Sequence, residues 1–416
     1  MAPNHILIIG AGAAGVFAAA NAAENNPSAT ITLLEKSPSP LAKVRISGGG
    51  RCNVTHACFD PRSLSDRYPR GGKALISPFH LFQPQHTIQW FESHGVPLKT
   101  EKDGRIFPSS DSSQSIIDAL LLSCRKNHVQ LLTQKEVTRI TPQPDSTFKI
   151  NLASGESNSC SQLLVATGGL QNTRLQEMIS QLGHTIHPPV PSLFTFNIPA
   201  PWIHALAGVS IPQAQVSIPQ TKLKETGPLL LTHWGLSGPA ILKLSAWGAR
   251  QLHQLHYQFE LLVDWLPSLP TEQLTHEIQQ RRNLYPAKSI ANLPIQPIPQ
   301  RLWTQLLQQS QIPHSTRWSE LSKTRLHALL KTLKNTRLKT AGKSTNKEEF
   351  VTCGGVALNE IDFKTMQSKI HENLHFAGEI LDIDGITGGF NFQAAWTTAR
   401  LAALHMTSTP KPSNSN

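Results

Sequence analysis

The first residues whose types and spacing suggest chemistry are three glycines and an acid near the start of the chain. Gly10, Gly12 and Gly15 follow the pattern Gly-x-Gly-x-x-Gly, and Glu35 lies 20 residues after the third glycine. In this pattern the first glycine permits a tight turn, the second lets a pyrophosphate approach the backbone, and the third lets a helix pack close to a strand. A carboxylate at Glu35 can accept hydrogen bonds from both hydroxyls of a ribose, which favours FAD or NAD over NADP.

The segments around these residues predict the strand–helix–strand unit that would position them. Residues 6–9 form an apolar run typical of a buried strand, residues 16–23 are rich in alanine, and residues 30–34 predict a second strand. The N-terminus of the helix would present unpaired N–H groups to a phosphate. A purely structural glycine turn is the alternative. Because strand, helix and acid are all present, we predict a nucleotide site, with Ala11, Ala14 and Lys36 among its contacts.

A second candidate site is the glycine-rich stretch at residues 43–53. Three consecutive glycines at 48–50 exclude a stable helix interior, and basic residues flank them on both sides. We expect a loop whose backbone cradles the cofactor and whose cations lie near phosphate or substrate, with a flexible surface loop as the alternative. The predicted contacts are Lys43, Ser47, Gly48, Gly49, Arg51, Cys52 and Asn53.

The composition limits the class of protein. At 416 residues the chain is long enough for two or three domains. The first strand begins so early that no signal peptide fits before it, and no apolar stretch approaches the roughly 18 residues of a membrane span. The five cysteines are scattered without a Cys-x-x-Cys pair, which predicts reduced thiols, a cytoplasmic location, and neither a disulfide framework nor a metal site.

The charge is unevenly distributed. The formal net charge is +11, and between Arg317 and Lys347 nine basic residues accompany one acid, Glu320. This segment predicts a polyanion as a partner. A solvated basic helix face with a linker is the alternative, and both interpretations remain open on charge alone.

Changes in pattern along the chain predict an insertion. A predicted buried strand leads into a glycine turn at Ala166-Thr167-Gly168, as in the first motif. Residues 191 to about 261 instead alternate between apolar and polar types, which is typical of antiparallel sheet. Within this region Pro239 predicts the start of a helix, and residues 271–339 have a helical pattern. We therefore predict a discontinuous domain of residues 1–190 and 350–416, a β-barrel-like domain of 191–265, and a basic helical subdomain of 266–349.

With these motifs assembled, the chain resembles the YhiN/BaiN-like family of FAD-dependent oxidoreductases. The motifs follow the family's order along the whole chain, and those at residues 46–53 and 376–396 are the most specific. They are GAGAAG (10–15), ISGGGRCN (46–53), GRIFP (104–108), ATGG (166–169), THWGLSGPAIL (232–242), VTCGGV (351–356) and FAGEILDIDGITGGFNFQAAW (376–396). The resemblance implies an α/β fold with a Rossmann-like FAD-binding domain of the two-dinucleotide-fold type, an inserted antiparallel β-barrel and a helical subdomain.

The resemblance also implies roles for individual residues. The first glycine motif would line the pyrophosphate of FAD, Glu35 would bind the adenosine ribose, and the backbone at Val137 would face the adenine. Gly378 and Glu379 would contact the ribityl chain or a phosphate, and a helix N-terminus at Gly388 would face the flavin pyrimidine ring. The remaining implied contacts are Ala166, Thr167, Gly168, Asp382, Gly389, Phe390 and Asn391.

The reaction that the resemblance implies is reduction of a carbon–carbon double bond conjugated to a carbonyl. Flavin N5 would deliver a hydride to the β carbon, and a side chain or water would protonate the α carbon. Uridine in ribosomal RNA, giving dihydrouridine, is the leading substrate, and NADPH or NADH is the expected electron donor. The alternatives are a reductase or oxidase of a small enone or amine, and a non-catalytic FAD-containing factor that binds RNA.

Several side chains are candidates for the catalytic groups. Cys52, His233 and Cys353 could donate the proton, and Arg51 or Arg45 could hold a substrate carbonyl or phosphate. Each has a structural alternative: the two thiols could be core residues packed beside glycines, and a lone histidine is more often structural. No serine–histidine–aspartate triad, metal cluster or phosphate-binding P-loop motif is evident.

Overall fold

The computed structural model describes residues 5–344 and 351–408. The chain divides into two compact units, Met1–Pro191 with Lys347–Asn416, and Ser192–Asn346. We call these the nucleotide unit and the inserted unit. Within the part of the chain that the structure describes, every helix is too short or too polar to span a lipid bilayer.

The strands are numbered in chain order. They are β1 (His5–Ile9), β2 (Thr30–Leu34), β3 (Thr55–His56), β4 (Leu98–Thr100), β5 (Arg105–Pro108), β6 (Gln130–Leu132), β7 (Val137–Pro142), β8 (Phe148–Leu152), β9 (Ser157–Cys160), β10 (Gln162–Val165), β11 (Ile186–Ser192), β12 (Phe196–Asn197), β13 (Ser210–Ser217), β14 (Lys224–Leu231), β15 (Gly235–Ser237), β16 (Gln258–Asp264), β17 (Thr336–Ala341), β18 (Val351–Val356), β19 (Ile361–Asp362), β20 (Gln367–Ser368) and β21 (Leu374–Phe376).

The α-helices are numbered in the same way. They are α1 (Ala13–Asn25), α2 (Ala42–Gly50), α3 (Pro61–Ser65), α4 (Gly72–Leu81), α5 (Pro84–Ser93), α6 (Ser113–Lys126), α7 (Thr173–Gln181), α8 (Pro201–His204), α9 (Pro239–Trp247), α10 (Ala249–Gln254), α11 (Thr271–Leu284), α12 (Gln300–Gln309), α13 (Lys323–Lys334) and α14 (Phe390–Thr407). Single turns of 3-10 helix lie at Ile290–Asn292, Trp318–Glu320, Leu358–Glu360 and Gly378–Ile380.

The nucleotide unit is built on a seven-stranded sheet in the order β19-β20-β21-β10-β1-β2-β6. Its five strands from β21 to β6 run parallel, and β1 lies between β10 and β2 with Ile9 opposite both Val165 and Leu34. The apolar runs of β1 and β10 are buried as predicted, which is typical of strands covered on both faces. The predicted strand–helix–strand unit and the α/β fold class are confirmed.

An aromatic cluster packs the first and last helices of the nucleotide unit against α5. Phe17 on α1 is fully buried. Its ring centroid lies 4.8 Å from that of Trp90 and 5.1 Å from that of Trp396 on α14. The cluster therefore packs α1 against both α5 and α14 in the core of the nucleotide unit.

The inserted unit contains a six-stranded antiparallel sheet in the order β12-β15-β14-β13-β16-β17. Its two outer strands meet, since the N–H of Asn197 donates to the carbonyl of Gly342 at 2.9 Å and the N–H of Ser344 donates to Thr195 at 3.1 Å. The sheet is thus a nearly closed barrel, as predicted for this insertion. Helix α9 begins at Pro239 as predicted, with Gly238 as its N-cap.

The sequence pattern was misleading at the end of the inserted unit. Residues 271–339 were expected to be helical, but α13 ends at Lys334 and the following residues form β17 along β16. Thr336, Leu338 and Thr340 are buried, while Arg337 and Lys339 are exposed. This alternation has the period of a strand, but two of its three buried side chains are threonines, so the apolar half of the pattern is weak.

We predict that Phe17→Ala destabilises the nucleotide unit by about 3–5 kcal/mol, because it leaves a cavity between α1, α5 and α14. Denaturant unfolding followed by circular dichroism measures the loss. The control is Phe59→Ala, since the Phe59 side chain is 45% exposed and its removal leaves no cavity. Equal effects from the two substitutions would contradict the role assigned to the cluster.

Candidate cofactor-binding site

The first glycine turn has the geometry that its spacing predicts. Gly10 has a φ of +100°, and a Cβ added to it would lie 2.6 Å from the carbonyl oxygen of Ala166. A Cβ on Gly15 would lie 1.8 Å from the carbonyl oxygen of Gly10, whereas a Cβ on Gly12 would meet no protein atom within 4 Å. Gly10 and Gly15 are therefore required by the protein's own packing, while the space beside Gly12 is open to a ligand.

Glu35 is held at the end of β2 beside this turn. Its Oε2 accepts a hydrogen bond from the N–H of Ala11 at 2.8 Å, and its Oε1 accepts one from the N–H of Ser37 at 2.8 Å. Each carboxylate oxygen has a further lone pair, so the oriented carboxylate can still accept bonds from hydroxyl groups. Lys36, the next residue, is exposed.

The turn after β10 meets the loop that carries Glu379. The Glu379 carboxylate accepts a hydrogen bond from the N–H of Thr352 at 2.8 Å and forms an ion pair with Lys43 at 2.8 Å. A Cβ on Gly169 would lie 3.1 Å from Glu379 Oε1, so this turn closely adjoins the carboxylate. The Glu379 carboxylate is thus held by two partners.

The stretch predicted as a glycine loop is partly helical. Helix α2 begins at Ala42, but Ser47, Gly48 and Gly49 leave helical geometry, and Gly48 to Gly50 have φ values of +58°, +69° and +83°. Left-handed backbone of this kind is favourable only for glycine. A Cβ on Gly49 or Gly50 would meet no atom within 4 Å. The glycines thus interrupt the helix and leave open space beside their backbone.

Cys52 and Asn53 end this stretch, and the contacts of both side chains are with the protein itself. Cys52 is fully buried, and burial raises the pKa of its thiol to about 12. Asn53, in the amide orientation that satisfies its hydrogen bonds, donates to the carbonyls of Thr55 and Ile106 and accepts from the N–H of Gly389 at 2.9 Å. Asn53 therefore links the glycine stretch to the start of α14.

The two arginines predicted to hold substrate bind partners within the protein. Arg51 forms an ion pair with Glu101 at 2.7 Å, and this hydrogen bond raises the pKa of its guanidinium. Arg51 also lies 4.0 Å from the centre of the Phe107 ring. Arg45 donates to Gln114 at 2.7 Å. The sequence could not indicate this competition, because the acidic partner lies 50 residues away.

Helix α14 begins directly after the two glycines at which the resemblance placed a helix N-terminus. It runs from Phe390, with Gly389 as its N-cap at a φ of +90°. The Tyr68 hydroxyl donates to the carbonyl of Phe390 at 2.6 Å. The Asn391 side chain accepts from the N–H of Gly385 and donates to its carbonyl, so it closes the loop that precedes the helix.

The loop between Glu379 and Gly388 holds two aspartates with cationic or imidazole partners. Asp384, fully buried, forms a two-point ion pair with Arg70. Asp382, a predicted cofactor contact, lies 2.6 Å from His187 Nδ1. The sequence reasoning missed Arg70 and His187. The signal was the pair of aspartates two residues apart in an apolar motif, since buried carboxylates require partners.

The remaining predicted residues lie in different surroundings. Val137 begins β7 and is half-buried, and Cys353 is fully buried in β18. His233 belongs to the inserted unit, where it is exposed between β14 and β15 beside Trp234. Among residues 5–344 and 351–408, no group of three metal-ligating side chains could hold an ion.

The nucleotide unit fits FAD on three observations. The space beside Gly12 is open, and the Thr167 hydroxyl is buried without a protein partner in the turn next to it. Neither α1 nor α14 has a side-chain cap or an acid in its first turn. Uncapped helix N-termini are anion sites. The first glycine motif, Glu35 and the Glu379 loop would hold the ADP and ribityl parts, and the start of α14 would face the flavin ring.

The sequence and the fold of this chain are similar to those of known flavoenzymes. Residues 4–405 match the family model "HI0933-like protein Rossmann domain". The chain is 31% identical over 403 residues to a ribosomal RNA dihydrouridine synthase of Escherichia coli, covering 94% of this chain and 95% of that protein. It is 27% identical to a 3-dehydro-bile acid delta(4,6)-reductase of Clostridium scindens, covering 96% and 98%. A 3-ketosteroid-delta4-(5alpha)-dehydrogenase from Rhodococcus jostii shares the fold, with a TM-score of 0.51, 11% identity, and coverage of 98% and 97%.

We predict that Gly12→Ala abolishes FAD binding without unfolding the protein. The added methyl meets no protein atom within 4 Å, but it would occupy the space through which a pyrophosphate approaches the backbone. Visible absorbance measures flavin per chain, and thermal unfolding of flavin-stripped protein measures stability. The control is Gly227→Ala in β14, where the nearest atom to a Cβ is 3.7 Å away. Retention of FAD by Gly12→Ala at the control's level would contradict this position for the pyrophosphate.

Proposed function

The chain belongs to the HI0933-like Rossmann-domain family and is an FAD-dependent oxidoreductase, and from this premise we propose that it reduces uridine in ribosomal RNA to dihydrouridine. The family match over residues 4–405 confirms the family that the motifs indicated. The RNA substrate is part of our proposal. So is the electron donor, for which we propose NADPH or NADH.

The names of the relatives favour reduction of a carbon–carbon double bond. A dihydrouridine synthase saturates the C5=C6 bond of uridine, and a bile acid delta(4,6)-reductase acts on ring double bonds. In uridine the double bond is conjugated to a carbonyl, which makes one carbon an acceptor for hydride and its neighbour an acceptor for a proton. The same chemistry would suit a small enone, so the RNA substrate needs a separate argument.

The distribution of charge supplies that argument. The inserted unit has sixteen lysines and arginines against six aspartates and glutamates, so it carries +10 of the chain's net +11. The nucleotide unit, with 22 basic and 21 acidic residues, is nearly neutral. A small neutral substrate does not require such a surface, whereas RNA binding depends on neutralising phosphates. This asymmetry is the observation that carries the proposal.

The chain's own residues would prepare the reaction. FAD, when bound, supplies the hydride. The N-terminus of α14, uncapped by a side chain and oriented through Asn53 and Tyr68, would stabilise negative charge on the flavin pyrimidine edge. The Glu379 carboxylate, held by Thr352 and Lys43, is available to hydroxyl groups of the ribityl chain.

For the proton donor we favour His233 over the two cysteines. Cys52 and Cys353 have no exposed surface, so both thiols are less suited to meet a substrate than an exposed side chain is. His233 is exposed and lies within the THWGLSGP stretch of the inserted unit. Histidine is also the side chain best suited to donate a proton near neutral pH.

We predict that removal of the gene abolishes a dihydrouridine from purified ribosomal RNA, as measured by mass spectrometry. Wild-type protein should restore the nucleoside, and Gly12→Ala should not, because it would lack FAD. Unchanged dihydrouridine content in the deletion strain would contradict the RNA substrate.

Anaerobic reduction tests the alternative functions. Bleaching of the flavin by NADPH or NADH, followed by reoxidation with ribosomal RNA, is the expected result. Bleaching by a small amine or alcohol would support an oxidase. A flavin that no donor reduces would support the non-catalytic RNA-binding factor.

We predict that His233→Asn lowers the rate of flavin reoxidation by RNA roughly a hundredfold or more, the usual contribution of a positioned acid, while Cys52→Ser retains most of it. Rapid-mixing absorbance measures the rate. His256→Asn is the control, because His256 is an exposed histidine of the same unit. If His187→Asn lowers the rate and His233→Asn does not, the donor is instead the imidazole paired with Asp382.

A further inference from the structure

We propose that the inserted unit has a docking surface for single-stranded RNA, formed where the end of α11 and the loop after it lie beside residues 314–319. We call this the Tyr285 surface, and its members are Arg282, Leu284, Tyr285, Lys288, His314 and Arg317. The inference rests on the proposed function, in which RNA is the substrate, but it concerns which surface of the protein binds the RNA.

Backbone hydrogen bonds hold the two segments of the Tyr285 surface together. The N–H of Trp318 donates to the carbonyl of Lys288 at 3.1 Å, and the N–H of Ser319 donates to Pro286 at 3.1 Å. Ser289 and Arg317 lie opposite each other in an antiparallel bridge. The side chain of Trp318 is fully buried beneath. The surface is therefore a structured part of the unit.

This surface exposes apolar side chains that the fold does not use. Leu284 is 69% exposed and Tyr285 is 39% exposed, in a run from Asn283 to Lys288 in which every residue is exposed. Leu284 has the largest exposed fraction of any large hydrophobic residue in the part of the chain that the structure describes. Two adjacent apolar side chains on a highly basic unit favour a partner with both flat apolar faces and negative charge.

The charges beside Tyr285 complement a phosphate backbone. Lys288 Nζ lies 4.9 Å from the centre of the Tyr285 ring, and Arg317 is exposed across the bridge. The acids nearby are engaged: Glu277 pairs with Arg281 at 2.7 Å, and Glu320 accepts the backbone N–H of Arg317 at 3.0 Å. Positive charge thus predominates at the exposed ring.

Other cations of the basic segment have structural partners. Lys334 donates to the carbonyls of Leu266 and Leu269 and pairs with Asp264 at 2.7 Å. Arg337 pairs with Glu260 at 3.1 Å across the barrel sheet. Lys347, the last cation of the predicted segment, lies outside the described residues. The segment from Arg317 to Lys347 is therefore not one uniform binding face, and Arg317 is its member opposite Ser289, in the strand-like bridge beside the Tyr285 loop.

Single-stranded RNA is the partner that this combination fits. Unpaired bases stack on exposed aromatic side chains, while lysine and arginine neutralise the adjoining phosphates. A duplex presents phosphates but no free base faces, so it would not use Tyr285. An acidic protein would use the cations but would not need an exposed aromatic ring.

Fluorescence anisotropy of a labelled single-stranded uridine-rich RNA, measured with the FAD-loaded protein, tests the proposal. We expect Tyr285→Ala to weaken binding by about five- to a hundredfold and Tyr285→Phe to restore it, because stacking needs the ring and not the hydroxyl. The double variant Lys288→Gln with Arg317→Gln should reduce the slope of log affinity against log salt by about 1.4, at 0.7 per phosphate contact. Lys149→Gln, an exposed lysine of the nucleotide unit, is the control and should bind as wild type does.

The outcomes separate this inference from the proposed function. Equal RNA affinity of wild type and Tyr285→Ala overturns the stacking surface, even if deletion of the gene removes dihydrouridine from ribosomal RNA. A wild-type protein that binds polyglutamate as tightly as RNA identifies an acidic protein as the partner and also overturns it. Failure of the proposed function would appear as unchanged ribosomal dihydrouridine. Unchanged flavin content and thermal stability of each variant ensure that a loss of binding is local.

Discussion

The structure depends on one close backbone contact at the carboxyl edge of the central sheet. The turn at Gly10 touches α1 at Gly15 on one side and the end of β10 at Ala166 on the other, at distances that exclude a Cβ at either glycine. This contact brings the N-terminus of α1 to the strand ends, and parallel pairing of β10 with β21 brings Glu379 to the same edge. A nucleotide site follows because unpaired N–H groups and an oriented carboxylate then converge where no side chain fills the space.

The parts predictable from sequence are those in which a local pattern determines the geometry. The apolar run of residues 6–9, the spacing of Gly10, Gly12 and Gly15, and the proline at 239 each act through their immediate neighbours, and the elements that they predict are present. The family motifs extended this to the fold class, including the inserted barrel. Strand β17 was missed because two of its three buried side chains are threonines, so its period of two is weak in the sequence and becomes evident only when β16 pairs with it.

Side-chain partners were the least predictable feature, because they join residues far apart in the chain. Arg51 seemed free to hold a substrate, yet Glu101 and the Phe107 ring engage it. The two aspartates of the last motif have partners that the motif does not contain. Arg70 lies 314 residues from Asp384, and His187 lies 195 residues from Asp382. A buried carboxylate such as Asp384 requires a partner. The motif therefore indicates that a cationic partner is needed, but only the fold shows which residue that partner is.

Under the proposed function, the division of charge between the two units separates two physical problems, the binding of a flavin and the binding of RNA. A flavin site needs a defined local field, in which one helix N-terminus and a few carboxylates determine where charge is stabilised, and a large surrounding positive potential would perturb it. Binding RNA needs many cations, whose effect is long-ranged and salt-dependent. With +10 of the +11 net charge in the inserted unit, that unit would attract the proposed RNA substrate while the nucleotide unit stays nearly neutral. Within the inserted unit the cations divide again: those paired with Asp264 and Glu260 hold elements of that unit together, and those of the Tyr285 surface are the ones that we propose bind RNA.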